Sequence, residues 1–374
     1  YLKKQPEICK CISDFDTDIT SINLENGYYD LKENQFHFHN PEKLFTKKAN
    51  VKYIATQIDK VCPKWLAFLE KIFIDSKGDT DYELISFIQE FSGLCLTGEV
   101  PIQAFLYAFG GGANGKTIFF QTIANMLGEY AVQIPVDTII QSYGKTQESN
   151  YSLAMLQGAR LVTTSEIPNG KRMDESTVKN LTGGEPINAR QPFGRPFMII
   201  PNYKLVCFGN SDLIIQGTDK GIWRRVIRIP FYYSFTDSEK RPHNEVLAEF
   251  QKENTGIFLW CLEGYQRVKE DGFIIPETIM RATNEYKTSQ DMFKQFVDEE
   301  CIITDRDDTY EKLKDLRINY NRFCDENRMS ANSKNPIEFK KVLMEHNLEI
   351  GKGDHNENIV LRIILRSKML LNGF

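Results

Sequence analysis

Short alternating apolar runs open the chain. "SINL", "YYDL" and "QFHFH" send side chains to opposite faces residue by residue, and the Asn-Gly of "ENG" supplies a turn, so strands are expected up to about Asn50. The period then lengthens. "PKWLAFLEKIF" starts at Pro63, a residue suited to the first helical position, and Leu84, Ile85, Ile88, Phe91 and Cys95 repeat at helical spacing. From Gln103 onward the apolar runs "AFLYAF", "RLVTTSE", "KLVCFGN" and "RRVIRIPF" alternate with the helical segments "TIFFQTIANML" and "DESTVKNLTGG". Strands separated by helices predict an α/β sheet with crossover connections. Beyond Phe235 the pattern is helical, and "NEVLAEFQKENTGIFLWCLEGYQRVKE" is expected to cover the sheet as a lid. From about Gln290 the order is helix, helix, the turn "GKGDHNEN" and the strand "IVLRIIL". Four segments follow: a mixed then helical N-terminal domain over 1–97, an α/β core over 98–235, a helical lid over 236–289 and a C-terminal domain over 290–374.

Composition changes this picture in three places. No apolar run approaches the ~20 residues of a membrane span and no secretory leader opens the sequence, so a cytoplasmic protein without a membrane partner is expected. Tyr1 in place of Met predicts a fragment of a longer protein. The eight cysteines lack any CxxC pairing, which argues against a disulfide framework or a zinc site, and His37 and His39 read as one face of a strand rather than as ligands. The net charge of −5 excludes a protein coated in positive charge. Between Pro186 and Pro230, however, seven cations stand against two anions, so any nucleic-acid contact is expected in a local groove or channel.

The strongest chemical signal is "GGGANGKT". Gly110, Gly115, Lys116 and Thr117 satisfy G-x-x-x-x-G-K-[ST] between a strand and a helix, where successive backbone N–H groups and the positive helix end cradle phosphates. Residues Gly110, Gly111, Gly112, Ala113, Asn114, Gly115, Lys116, Thr117 and Ile118 form the expected nucleotide-binding set. Lys116 would meet the β- and γ-phosphates of ATP, and the Thr117 hydroxyl would hold Mg²⁺. The plainer alternative is a Gly-rich turn with an exposed lysine.

Three further positions complete a hydrolytic site. "ARLVTTSEI" brings Glu166 to a strand end about fifty residues after the P-loop, where a carboxylate would polarise water; Ser165 stands where a second acid is usual. "KLVCFGN" ends in Asn210, a neutral amide suited to sensing the γ-phosphate. Arg224 and Arg225 of "IWRRVIRIPF" suggest an arginine finger reaching a neighbouring subunit's nucleotide, which requires subunits arranged head to tail.

In their order these motifs, with "VKNLTGGEPINAR" the most diagnostic, resemble the superfamily 3 helicases of the AAA+ class, and among them the phage and plasmid primase-helicases related to the poxvirus enzyme. The resemblance runs from roughly Glu25 to the C-terminal helices and is strongest between 105 and 231. It implies an AAA+ P-loop ATPase core, a hexameric ring, 3′–5′ translocation on single-stranded and forked DNA during replication, and a primase or polymerase domain joined ahead of the helicase. It also implies that "NARQPFGRPFMIIPNYK" is a pore hairpin with Phe193-Gly194-Arg195 at its tip, so Arg190, Phe193, Arg195 and Lys204 are the expected DNA contacts there. The C-terminal segment resembles a winged helix, with Lys340 and Lys341 on its recognition helix and Lys352 on its wing, serving either DNA or a docked protein. Two other function classes share the motifs: a nucleotide-gated initiator module that assembles on DNA without unwinding it, and a nucleotide kinase, disfavoured because no acceptor-binding lid is evident.

Overall fold

A computed structural model describes residues 10, 14–141, 152–191, 194–215, 220–306, 308–327, 335–353 and 356–368. Two compact units divide it, one reaching Thr283 and the other beginning at Asn284. In the first, β1 (Ser21–Asn23), β2 (Tyr28–Asp30) and β3 (Gln35–His37) form an antiparallel sheet in that order. Gly27 closes the first turn where no larger residue fits, since a Cβ there would lie 2.1 Å from the carbonyl oxygen of His37. Three helices follow: α1 (Ile58–Val61), α2 (Pro63–Ile72) and α3 (Tyr82–Leu94). Asp81 caps α3 by accepting from the amide of Leu84 at 2.9 Å. Cys62 gives α2 no such cap. Its free amides on Lys64 and Trp65 are taken instead by the buried carboxylate of Glu253, at 3.2 and 2.9 Å.

The central sheet contains β4 (Phe105–Phe109), β5 (Ala131–Gln133), β6 (Leu161–Thr164), β9 (Lys204–Gly209) and β10 (Val226–Pro230), all parallel in the order β10-β4-β9-β6-β5. Its inner strands are nearly continuous apolar runs because they are buried on both faces. The helix α4 (Lys116–Leu127) follows β4, and α5 (Glu175–Thr182) follows β6. Between α5 and β9, β7 (Ile187–Arg190) and β8 (Pro196–Ile199) pair antiparallel as a hairpin. The short α6 (Lys220–Trp223) precedes β10. Beneath the sheet, just before β6 and at the first residue of β9, two cations are buried: Arg160 donates to the carbonyls of Leu96 and Ser21 and lies over the Tyr130 ring at 4.3 Å, and Lys204 donates to the carbonyls of Thr97 and Glu99 at 2.5 and 3.2 Å. These bonds tie the chain before the sheet to its lower edge.

The long helical pattern after Phe235 is two helices, α7 (His243–Gln251) and α8 (Asn254–Asp271), followed by α9 (Glu277–Ser289). Of these, α7 packs on α4 and α8 packs along α3, while the Thr283 hydroxyl of α9 accepts from the Arg228 amide of β10 at 3.0 Å. Glycine makes the second contact intimate, since a Cβ on Gly264 would stand 2.2 Å from the carbonyl oxygen of Gln89 and one on Gly93 2.4 Å from the amide of Tyr265. The core runs unbroken from the N-terminal helices to the P-loop helix, where Trp65 stacks on Phe119 at 5.3 Å.

The second unit contains α10 (Met292–Glu300), β11 (Cys301–Ile303), β12 (Tyr310–Lys312), α11 (Leu313–Glu326), α12 (Pro336–Glu345), β13 (Ile350–Lys352), β14 (Asn358–Leu361) and β15 (Ile363–Leu365). The strand β12 leads directly into α11, so strand precedes helix there. The expected strand "IVLRIIL" is broken at Arg362, whose φ of 60° turns the chain so that β14 pairs with β12 and β13 while β15 pairs with β11.

One ionisable contact joins α12 to the start of α10. His346 Nε2 stands 3.0 and 2.9 Å from the two carboxylate oxygens of Asp291, and its Nδ1 is 2.8 Å from the carbonyl oxygen of Val342. Both partners are acceptors, so the imidazole makes both bonds only when both nitrogens carry protons. Burial disfavours that charge, but the bonds to Asp291 and Val342, aided by nearby Glu345, outweigh it and raise the His346 pKa above its ordinary 6.5. A raised histidine pKa gives stability that is complete below the unfolded value and is lost as pH rises through the folded one. Amide-exchange protection in α12, corrected for intrinsic rates, is therefore expected to fall from pH 6 to pH 8.5, and to become flat in His346→Leu. Equal pH dependence in the variant would remove this role from His346.

Candidate nucleotide site

Strand β4 delivers the chain into the glycine loop at Phe109, and α4 begins at Lys116. Gly110 is fixed by close approach, since a Cβ there would be 2.3 Å from Asn114 Nδ2 and 2.6 Å from the Phe231 carbonyl oxygen. Gly115 has a φ of 86° and faces Ile72, whose methyl would lie 2.8 Å from a Cβ. The loop is thus shaped partly by α2, an element outside the motif. Lys116 is not an exposed lysine on a turn: 3% of it is accessible. Its ammonium donates to the Gly110 carbonyl at 2.8 Å, to Asn114 Oδ1 at 3.0 Å and to Asn210 Oδ1 at 3.3 Å. All three acceptors are neutral. Burial accordingly lowers its pKa from 10.5 to about 8. Asn114 Nδ2 is buried without an acceptor among the described residues. A buried cation and an orphaned donor beside a tight glycine turn fit a polyphosphate. Thr117, in the first turn of α4, is exposed.

Glu166 lies just past β6 and is exposed, with a left-handed φ of 61°. Beside it, the Ser165 hydroxyl accepts from Gln133 Nε2 at 3.0 Å. Asn210 directly follows β9, the strand between those of the P-loop and Glu166, and the bond to Lys116 brings it into the loop.

Several residues were not singled out in the sequence. Arg228 on β10 contacts both Asp212 oxygens at 3.0 Å and lies 3.8 Å above the Phe109 ring. Tyr107 donates to the Ser211 carbonyl at 2.9 Å and accepts from the Leu213 amide at 3.0 Å. Together they fix the loop that follows Asn210. A charged residue inside the buried run "VIRIP" was the available signal. A cavity of about 580 Å³ adjoins Ala113, Gly115 and Ile118, with Phe68 of α2, Phe235, and Val246 and Phe250 of α7 supplying apolar walls. The Phe235 amide donates to the Ala113 carbonyl at 2.7 Å, so the cavity wall is hydrogen-bonded to the P-loop. Its walls come from three separated stretches, so no sequence window displays it.

The cations divide by burial. Arg224 is exposed, whereas Arg225 is 8% accessible and donates to the Gly221 carbonyl at 2.6 Å and to Gln103 Oε1 at 3.2 Å. Lys204 leaves the expected DNA-contacting group, because its ammonium is buried beneath the sheet on backbone carbonyls. Arg190 and Arg195 are exposed on the β7–β8 hairpin, where Arg190 Nε donates to the Gly194 carbonyl at 3.0 Å. Phe193 lies outside the described residues. On α12, Lys340 is half-buried and Lys341 exposed.

Family models match the chain twice: "D5 N terminal like" over residues 2–74, and a family of unknown function, DUF5906, over 108–225. Among curated proteins the chain is 24% identical over 332 residues to "Putative helicase L207/L206" of Acanthamoeba polyphaga mimivirus, covering 81% of this chain and 33% of that protein. It is 28% identical over 265 residues to "Putative helicase 022R" of Frog virus 3, covering 66% and 26%. It is 24% identical over 228 residues to "Putative primase C962R" of African swine fever virus, covering 56% and 24%. Together these matches support a primase-helicase family. The chain spans a third or less of the length of these relatives. A solved structure, the apo NrS-1 C-terminal region, is similar at 11% identity with a TM-score of 0.49, covering 92% of this chain and 83% of that one. No helix among the described residues is long and apolar enough to cross a membrane.

The buried Lys116 has a pH consequence. A polyphosphate needs its ammonium, so above pH 8 binding must draw a proton from solvent, and affinity falls by up to about tenfold per pH unit. Calorimetry of ATP binding at pH 8.5 in buffers of different ionisation enthalpy is expected to show proton uptake that vanishes in Lys116→Ala. Binding without uptake in the unaltered protein would mean that Lys116 does not meet the phosphates.

Proposed function

We propose that the chain is the ATP-driven motor of a replicative DNA helicase, the helicase part of a primase-helicase, working as a hexameric ring on single-stranded and forked DNA. The observation that carries this reading is the Lys116 ammonium, held on neutral oxygens of the P-loop and of Asn210. An element that binds phosphate is thereby bonded to one that senses it. Bound ATP with Mg²⁺ would supply the phosphoanhydride whose cleavage drives the motor. Lys116 would neutralise the terminal phosphates, Thr117 would hold the metal through the nucleotide, and the apolar cavity beside Ala113 would take the base. Glu166 follows a strand two positions from β4, a lateral distance of roughly 10 Å at ordinary strand spacing, which leaves room for phosphate and water between them. There it would orient the attacking water.

Arg224, exposed and adjacent to the buried Arg225, is the better finger for a neighbouring subunit's nucleotide, while Arg225 holds the local backbone. The AAA+ class of core and the winged-helix character of the second unit belong to the same reading. The exposed Arg190 and Arg195 support strand contact at the hairpin, and Lys341 offers a second one on α12. The viral relatives, whose names include helicase and primase, support the replicative setting.

Three outcomes test the proposal. Glu166→Gln is expected to bind ATP but lose hydrolysis by about a hundredfold or more, as removal of a general base does, whereas Lys116→Ala loses hydrolysis and binds ATP more weakly; normal turnover in either sinks the motor reading. Arg195→Ala should weaken single-stranded DNA binding and unwinding while sparing basal ATPase, and affinity should fall with added salt. Equal loss of basal hydrolysis would assign Arg195 to the nucleotide site. Finally, Arg224→Ala and Lys116→Ala proteins, each inactive alone, should regain ATPase in mixed rings, where some interfaces unite an intact P-loop with an intact finger. With subunit exchange verified, failure of every mixture to exceed its components would rule out a finger acting between subunits.

A further inference from the structure

A second cavity, of about 510 Å³, lies along α4 beside β5 and β6 and shares no lining residue with the one next to the P-loop. Its size falls within the range of small-molecule sites, roughly 300–1,000 Å³. Its chemistry differs from that of a phosphate site, because no lining residue carries a charge. Carboxamides supply the polarity, from Asn50, Gln121, Asn125 and Gln133, above a floor that includes the stacked rings of Phe120 and Phe208, 5.1 Å apart.

Some of these amides are already committed. Asn50 Nδ2 donates to the Asn125 carbonyl at 2.8 Å, and Gln133 Nε2 donates to Ser165 Oγ at 3.0 Å. Gln121 differs from them. Its Oε1 is buried and no described group donates to it. A buried acceptor without a donor is unfavourable, and a ligand that brings a donor relieves it. A glutamine carboxamide presents an acceptor next to a donor, a pattern matched edge to edge by the exocyclic amine and ring nitrogen of adenine.

We propose that the cleft between α4, β5 and β6 is a second small-molecule site, for a neutral purine base or nucleoside bearing an exocyclic amine, read by Gln121. No lining cation is present to neutralise a phosphate, and no lining residue is shared with the cavity beside the P-loop, so the site is distinct from that of the nucleotide. Gln133, on its rim, donates to Ser165, the chain neighbour of Glu166, so the cleft is joined by one hydrogen bond to the stretch that carries the residue to which hydrolysis is assigned.

The test is equilibrium dialysis of labelled adenosine against the full chain, with and without saturating ADP and Mg²⁺. One saturable equivalent is expected to persist under ADP. It should weaken by about tenfold or more in Gln121→Met, which keeps the volume but removes the amide, and for inosine, which lacks the amine. Ala124→Phe, which fills the cleft, should abolish it, and thermal melts of both variants establish that they fold. Displacement of adenosine by ADP would mean that it occupies the cavity beside the P-loop, and overturns the proposal. So would absent saturation up to about millimolar adenosine, a weak regime by the usual affinity scale, equal binding of inosine, or unchanged binding in the two folded variants. Failure of ADP to bind would count against the motor reading while leaving the adenosine arm decisive for the cleft.

Discussion

A buried positive charge without a buried negative one organises this molecule. Lys116 is nearly inaccessible, and its ammonium rests on a carbonyl and two amide oxygens. Neutral acceptors lower the cost of burying the charge without cancelling it, which is why its pKa falls to about 8. The site is therefore biased toward an anion before one arrives. The surrounding architecture keeps the acceptors in place: Gly110 packs against the Phe231 backbone, α2 presses on Gly115, and the Arg228, Asp212 and Tyr107 contacts hold the loop after Asn210.

The same device recurs at the other edge of the sheet. Arg160 and Lys204 are buried on backbone carbonyls of the preceding chain. Burial lowers the Lys204 pKa to about 8 as well, outweighing the opposing influence of Cys95 and Glu99. Here the cation meets a fixed set of carbonyls and serves attachment. The difference between the two lysines lies in surroundings, because Lys116 also borders an orphaned donor and a cavity.

Much of this was legible in the sequence. Apolar runs marked the inner strands, helical spacing marked α2, α3 and α4, and the glycine spacing marked the phosphate loop. What escaped depended on neighbours distant in the chain. Nothing around Lys204 distinguishes it from a solvated cation on a basic stretch; its burial follows from carbonyls about a hundred residues away. Arg225 likewise follows Arg224 in sequence but faces Gln103. The single helical pattern after Phe235 concealed a break at Lys252 and Glu253, because the residues at the break keep helical propensity while Glu253 serves another helix. Backbone handedness at Glu166 and Arg362 is also silent in composition, since neither residue type announces a positive φ.

The cap on α2 bears on how the chain is made. Glu253 reaches back 188 residues to the amide of Trp65, and the glycine-mediated crossing of α3 with α8 closes over a similar interval. During synthesis the opening helices leave the ribosome long before either partner exists, with an uncapped terminus and an uncovered apolar face. Vectorial folding of the first hundred residues is thus incomplete by construction, and the nascent chain must wait for α8 before its beginning becomes native.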